Sequence, residues 1–576
     1  MHRSKKYGAP ERRHMKRILS LLLIVILLYA NPGCKRAEPA PENTYHTELS
    51  FSELSDSGID AALEIARAKE LLFRIERGEI FGKHAQETLE SRADAHMKIQ
   101  TDAAIAYVRY CMDVSNEANR QKYDTLSIQA ETLACILTDA ALRLSEDPAL
   151  KDVYDAETVE MLLREDALSD DAVLPLFERE RELVGAYEAL PDQLRVEYGG
   201  KMWTGDEILS DPSLDAEDFE TLYEAYLDLF HTKAGEIFLQ LIKIRREIAK
   251  TLGYDSYADY RYACYRRTYS PKDAARLSER VQTEIVPLFA EMRDDFYRAA
   301  GRLYGAAFEQ AQTMERIGSV VADTAPALSE PWDYMLGHGL YDLGTDFRRM
   351  PGSCTTYFAA YGAPFLFGAW SGGFDTIPAV IHEFGHFASF YLNGDTTGEE
   401  NSLDLAEIDA QGLELLTVLR YDTIYGNLSE EAEAVELFYA LYTLIDGCAE
   451  DAFQQFAYGL EEPDLAALDA EYDRLCRAYG LDAFGTEGRS WTQIAHTFQA
   501  PFYYVSYATS MTAALELYLK GKKDPAAARE AYLRVLARGR GADYAETLTA
   551  AGVHDPFAAE TIKEITRGLG NARRNR

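Results

Sequence analysis

From about residue 55 to residue 345, apolar residues recur at three- and four-residue steps, as at Ile237, Leu241, Ile244 and Ile248. That spacing lines one face of a helix, so the region reads as a succession of amphipathic helices. Proline and glycine fall mostly between these stretches, and Pro191, Gly199, Gly200 and Pro212 mark the end of an N-terminal helical lobe over 51–200. The pattern changes at 352–374 (GSCTTYFAAYGAPFLFGAWSGGF), which is nearly uncharged, rich in glycine and aromatics, and predicts one or two short strands. Helical spacing then resumes, so 201–570 forms a second helical region. The fold class is mainly α, multi-lobed, with a small β element.

The start of the chain departs from this pattern. A basic stretch (Arg12, Arg13, Lys16, Arg17) precedes an apolar run from Ile18 to Ala30 and then small residues before Cys34. The run is short for a membrane span, and the three parts read as an export signal over 1–33. Gly33-Cys34 resembles the end of a bacterial lipoprotein signal, in which the cysteine is lipidated and becomes the new N-terminus. Ordinary signal cleavage and an uncleaved anchor are the alternatives. Residues 34–50 are polar with two prolines, as a tether would be. The expectation is an exported protein, periplasmic or at the cell surface, held to a membrane by a lipid on Cys34.

Composition narrows the function. A chain of 576 residues with 47% hydrophobic and 27% charged residues is ordinary globular protein. Its net charge of -36 repels phosphate backbones and argues against nucleic-acid binding. Seven cysteines without a CxxC pair do not form a disulfide framework.

The chemistry centres on His382-Glu383-Phe384-Gly385-His386. On a helix, residues four apart share a face, so both imidazoles can reach one zinc ion, and Glu383 projects beside it to take a proton from a bound water. Asp375 or Thr376 caps the helix, with Pro378 tolerated in the first turn. Two core histidines flanking an exposed glutamate would be the plain structural alternative. Zinc needs a third protein ligand. The turn Asn393-Gly394-Asp395-Thr396-Thr397-Gly398 ends the first helix, and Ser402 can cap a second on which Asp404, Glu407, Gln411 and Glu414 share a face. Glu407 is the candidate ligand, and Glu414, two turns on, is placed to orient an imidazole.

Phe374-Asp375-Thr376 leading into HEFGH, and Ala406-Glu407-Ile408 followed by Glu414, resemble the thimet oligopeptidase and oligoendopeptidase F group of zinc peptidases. The likeness runs from about 235 to 570. It takes in Ile248-Ala249-Lys250-Thr251-Leu252-Gly253-Tyr254, Trp491-Thr492-Gln493-Ile494-Ala495-His496, Pro501-Phe502-Tyr503-Tyr504-Val505-Ser506-Tyr507-Ala508-Thr509 and Ala551-Gly552-Val553-His554-Asp555.

The resemblance implies one zinc ion per chain on His382, His386 and Glu407, with Glu383 as general base. It also implies that His496, Tyr507 and Tyr503 contact the substrate and stabilise the oxyanion, since donors placed ahead of the reaction lower the barrier to building charge on the carbonyl oxygen. The 362–373 segment is expected as an edge strand beside the motif helix, where an extended peptide adds by backbone hydrogen bonds. The resemblance further implies a site deep between helical lobes, which would admit oligopeptides and exclude folded proteins. Two other readings share these residues: a carboxypeptidase or dipeptidyl carboxypeptidase using the same zinc site, and a lipoprotein that binds peptides without cutting them.

Overall fold

The structure is a computed structural model describing residues 46–168, 172–346, 348–350, 352–394, 402–539 and 541–574. The export signal, Cys34, most of the tether and the turn at 395–401 lie outside the described residues. Among those described, no helix is long and apolar enough to cross a membrane.

Three helices come first: α1 (Ala61–Glu76), α2 (Gly82–Met112) and α3 (Glu117–Ser145). The starts of α1 and α3 follow from local chemistry, because the Asp60 side chain accepts from the Leu63 amide and Asn116 from the Asn119 amide. Their apolar faces close on Leu71, Leu89, Ile99, Leu133, Leu137 and Leu144. Gly199 and Gly200 close a hairpin of β1 (Val196–Tyr198) and β2 (Lys201–Trp203). Gly199 and Gly200 have φ of 60° and 77°, the two consecutive positive angles that a tight two-residue hairpin turn requires.

Helix α4 (Ala216–Thr251) follows, then β3 (Tyr341–Gly344), β4 (Cys354–Phe358) and β5 (Ala363–Ala369). Four further helices carry the candidate chemistry: α5 (Thr376–Asn393), α6 (Leu403–Thr417), α7 (Ser429–Gly459) and α8 (Tyr504–Lys523). The chain divides into two compact units: Met1–Pro175, Phe308–Asn401 and Leu536–Ala542 form the first, and Leu176–Ala307, Ser402–Val535 and Asp543–Arg576 the second.

In the first unit, α5 lies on a three-stranded sheet of order β3-β5-β4. Tyr357 of β4 stacks on Phe390 of α5 at 5.6 Å, and Trp332 meets Phe384 edge-on at 4.8 Å. The expectation that 362–373 supplies an edge strand is overturned. β5 is central, parallel to β3 through Tyr341↔Leu366 and antiparallel to β4 through Thr355↔Leu366. The reason lies in its sequence. Every β5 residue but the last is buried, as suits a strand covered on both faces and paired on both edges, while β4 is half-exposed over its first four residues.

In the second unit, α7 packs against α8 with unusual closeness. A Cβ on Gly447 would stand 2.6 Å from the Tyr504 carbonyl oxygen, so only glycine lets the start of α8 settle there. The six cysteines among the described residues are free thiols.

Candidate active site

Helix α5 begins at Thr376, where it was expected, but by a different device. Asp375 makes no capping bond to the helix. Its Oδ1 accepts instead from Ser371 Oγ at 3.2 Å, and Ser371 and Thr376 share a hydroxyl contact at 2.7 Å. Val380, Ile381, Phe384 and Phe387 are buried, which fixes the rotation of the helix and leaves His382 and His386 half-buried on a common side. Their rings stand 5.1 Å apart at 82°.

Glu383 is buried, and Thr355 on β4 reaches it twice: the hydroxyl lies 2.8 Å from the Oε2 carboxylate oxygen and 2.9 Å from the Glu383 carbonyl. Burial raises the Glu383 pKa, opposed by His382 and by the hydroxyls of Thr355 and Ser353. A carboxylate held in this way is more basic than an exposed one and aimed by a fixed donor. His386 is driven the other way, to about 3, by burial first and then by His382 and Arg538, so its imidazole stays neutral and keeps a lone pair to donate.

In the second unit, Glu407 is buried on α6, and Tyr503 donates its hydroxyl to Glu407 Oε1 at 2.8 Å. Burial first, then the charge of Glu407 and the Tyr507 phenol, hold the Tyr503 phenol protonated far beyond the usual range. Tyr503 lies 5.1 Å from Tyr507 and 5.2 Å from His496, so three of the expected substrate-facing rings form one half-buried cluster with Tyr504. Burial lowers the His496 pKa, leaving a neutral ring that can donate one hydrogen bond. Glu414 shares a hydrogen bond with the buried Glu436 carboxyl, which also accepts from Tyr421 at 3.2 Å.

His382, His386 and Glu407 bring one ligand atom each to within 4.8 Å of one another. Two imidazoles and a carboxylate are the donor set of an open zinc site, which keeps a further position for water. The residues present therefore fit a metal.

Reading the sequence alone missed the partners that hold these groups. Thr355 lies 28 positions from the Glu383 it touches, and the one visible signal was a threonine pair in a strand of otherwise aromatic and small residues beside the motif.

A mainly helical fold and a small sheet against a His-Glu-Phe-Gly-His helix, with a buried glutamate that could serve as a third ligand, point to a helical metallopeptidase. Residues 338–567 match the family model of peptidase family M3. Solved structures extend the likeness over the whole fold. PZ peptidase A, solved with an inhibitor, superposes with a TM-score of 0.74 at 20% identity, covering 91% of this chain and 99% of that one. Two proteins assigned provisionally as oligoendopeptidase F are similar. One has a TM-score of 0.73 at 20% identity, covering 91% and 98% of the two chains. The other, from Bacillus anthracis, has 0.71 at 18%, covering 92% and 99%. At these identities the likeness is one of fold. No curated protein matches the chain by sequence. The chain is a metallopeptidase and hydrolyses peptide bonds.

Proposed function

We propose that the chain cuts short oligopeptides with one zinc ion held by His382, His386 and Glu407, and with Glu383 as general base. The observation that carries this reading is the approach of the three ligand atoms to within 4.8 Å, with a buried glutamate next to the first histidine in sequence. Zinc, when bound, supplies a Lewis acid that acidifies water and polarises the scissile carbonyl. Glu383, aimed by Thr355, removes the proton of the attacking water and delivers it to the leaving nitrogen. His496 and Tyr507 donate to the carbonyl oxygen as its charge builds, and Tyr503 holds Glu407 in place.

The peptide backbone is held by β4. Among the described residues no strand pairs with its outer edge, and the residue that aims Glu383 sits on this strand. Backbone pairing is indifferent to side chains, which suits varied peptides.

Incubating the purified protein with a mixed peptide library, with and without a chelator, tests the reading. Internal cleavage that stops with chelation is expected, and a Glu383→Gln variant should lose about 10²–10⁴-fold in kcat while retaining its metal. A variant as active as the parent would end the assignment. Peptides blocked at the C-terminus distinguish the carboxypeptidase alternatives, which need that carboxylate free. We further propose that Cys34 carries a lipid, so Cys34→Ala should move the protein from the membrane fraction to the soluble one.

A further inference from the structure

Arg267 is one of the most enclosed charges in the molecule. Its side chain is 0% exposed. The guanidinium lies 4.5 Å from the Tyr262 ring, 4.8 Å from Tyr265 and 5.8 Å from Tyr269. Such a charge is tolerable inside a protein only if its hydrogen bonds go somewhere definite. The contacts of Arg267 run in two directions, an ion pair in one and hydrogen bonds in the other.

In one direction, Nε approaches Asp404 Oδ2 at 4.0 Å. Asp404 is fully buried, and its other oxygen accepts from Thr509 at 2.8 Å and Tyr269 at 3.2 Å. It stands one helical turn before Glu407 on α6, so whatever holds Asp404 sets the position of Glu407.

In the other direction, Nη2 donates to the Phe502 carbonyl at 2.6 Å and to Ser506 Oγ at 2.8 Å. Phe502 has φ of 63°, a left-handed conformation that is strained for a phenylalanine. Its amide is tied to Gln454 Oε1 at 2.7 Å. The next residue is Tyr503, whose hydroxyl reaches Glu407 at 2.8 Å.

We propose that Arg267 is a positioning residue for the Tyr503–Glu407 contact: it braces the helix that carries the acid and the strained backbone that carries the phenol. The strain at Phe502 then has a use. Relaxing that residue to an ordinary φ would swing Tyr503 away, and the bonds from Arg267 and Gln454 oppose it. The inference rests on the reading of Glu407 as a ligand and Tyr503 as a site residue. It adds the group that fixes the distance between them.

A thermodynamic cycle tests it. Arg267→Lys keeps the charge beside Asp404, but a single ammonium cannot serve both directions. It should lower kcat about tenfold or more with KM changed less than threefold and zinc content unchanged. Tyr503→Phe should fall similarly, and the double variant should be no worse than Tyr503→Phe within about twofold, because both changes remove one contact. Losses that multiply would overturn the proposal, as would an Arg267→Lys protein that loses zinc while Tyr503→Phe keeps it.

Ser506→Ala, which removes one anchor and leaves the buried charge alone, should show the same coupling at smaller amplitude if Arg267→Lys folds poorly. A readout free of activity uses zinc-free protein carrying 3-fluorotyrosine at 503. Its fluorine resonance should move in the same sense with Arg267→Lys as with Glu407→Ala, and an unmoved resonance refutes the idea. If the parent cuts no peptide, the proposed function fails while this resonance still decides the brace.

Discussion

The site depends on residues that satisfy buried partners. Thr355 donates to Glu383 at 2.8 Å, and Thr355→Val keeps the shape while removing the donor. A charge-assisted bond of this kind is worth about 1.5–3 kcal/mol, so kcat should fall roughly 10- to 100-fold with little change in melting temperature, measured by steady-state kinetics and calorimetry. Arg245 shows the same rule in a purely structural setting. It lies on the buried face of α4 and donates to Glu180 at 2.6 Å, Tyr458 at 2.8 Å, the Thr497 carbonyl at 3.2 Å and the Phe498 carbonyl. Arg245→Leu strands those acceptors, and a loss of about 3–5 kcal/mol in unfolding free energy is expected by denaturant titration.

The helical periodicity of α4 was legible in Leu241 and Ile248, yet Phe238 and Arg245 are buried while Ile237 and Ile244 are only partly so. A periodicity of apolar letters cannot foresee a buried arginine, because its place depends on acceptors more than sixty positions away.

At the scale of elements, α7 carries two features that spacing hides. Gly447 admits the Tyr504 carbonyl, and Gly447→Ala places a methyl 2.6 Å from that oxygen and 3.0 Å from Ala508 Cβ. Backbone on both sides cannot yield cheaply, so about 1–3 kcal/mol of destabilisation is expected, visible as a lower melting temperature.

One turn apart on the same helix, Asp446 and Glu450 are both held above the ordinary carboxylate range, chiefly by burial, and Glu450 accepts from Thr497 at 3.4 Å. The folded state therefore binds more protons than the unfolded one at pH values above 4.5, the ordinary value for a glutamate. Stability is complete below that value and declines as pH rises through the raised folded values. Glu450→Gln removes part of this decline, so its stability relative to the parent should grow from pH 5 to pH 9. A difference flat with pH would contradict the assignment. The sheet teaches the same lesson: the strand-like character of 352–374 was readable, but which strand takes the edge follows from pairing with β3, which lies outside that segment.

For the molecule as a whole, the net charge of -36 is a long-range property that needs no coordinates. It attracts cationic peptides and repels acidic ones over distances that salt screens. Raising ionic strength from about 0.02 to 0.5 M should lower kcat/KM for a basic peptide and raise it for an acidic one of equal length, with kcat nearly constant.

The helical class and the His382-Glu383-His386 set follow from the sequence itself, because they rest on contacts between residues three and four apart, which any helix makes. Tertiary structure alone decided that Thr355 reaches Glu383, that Tyr503 reaches Glu407, and that Arg267 lies between Asp404 and a strained Phe502. These contacts join residues from 28 to 235 positions apart, and hydrogen-bond donors carry no mark in the sequence of the distant acceptor they will meet once the chain has folded.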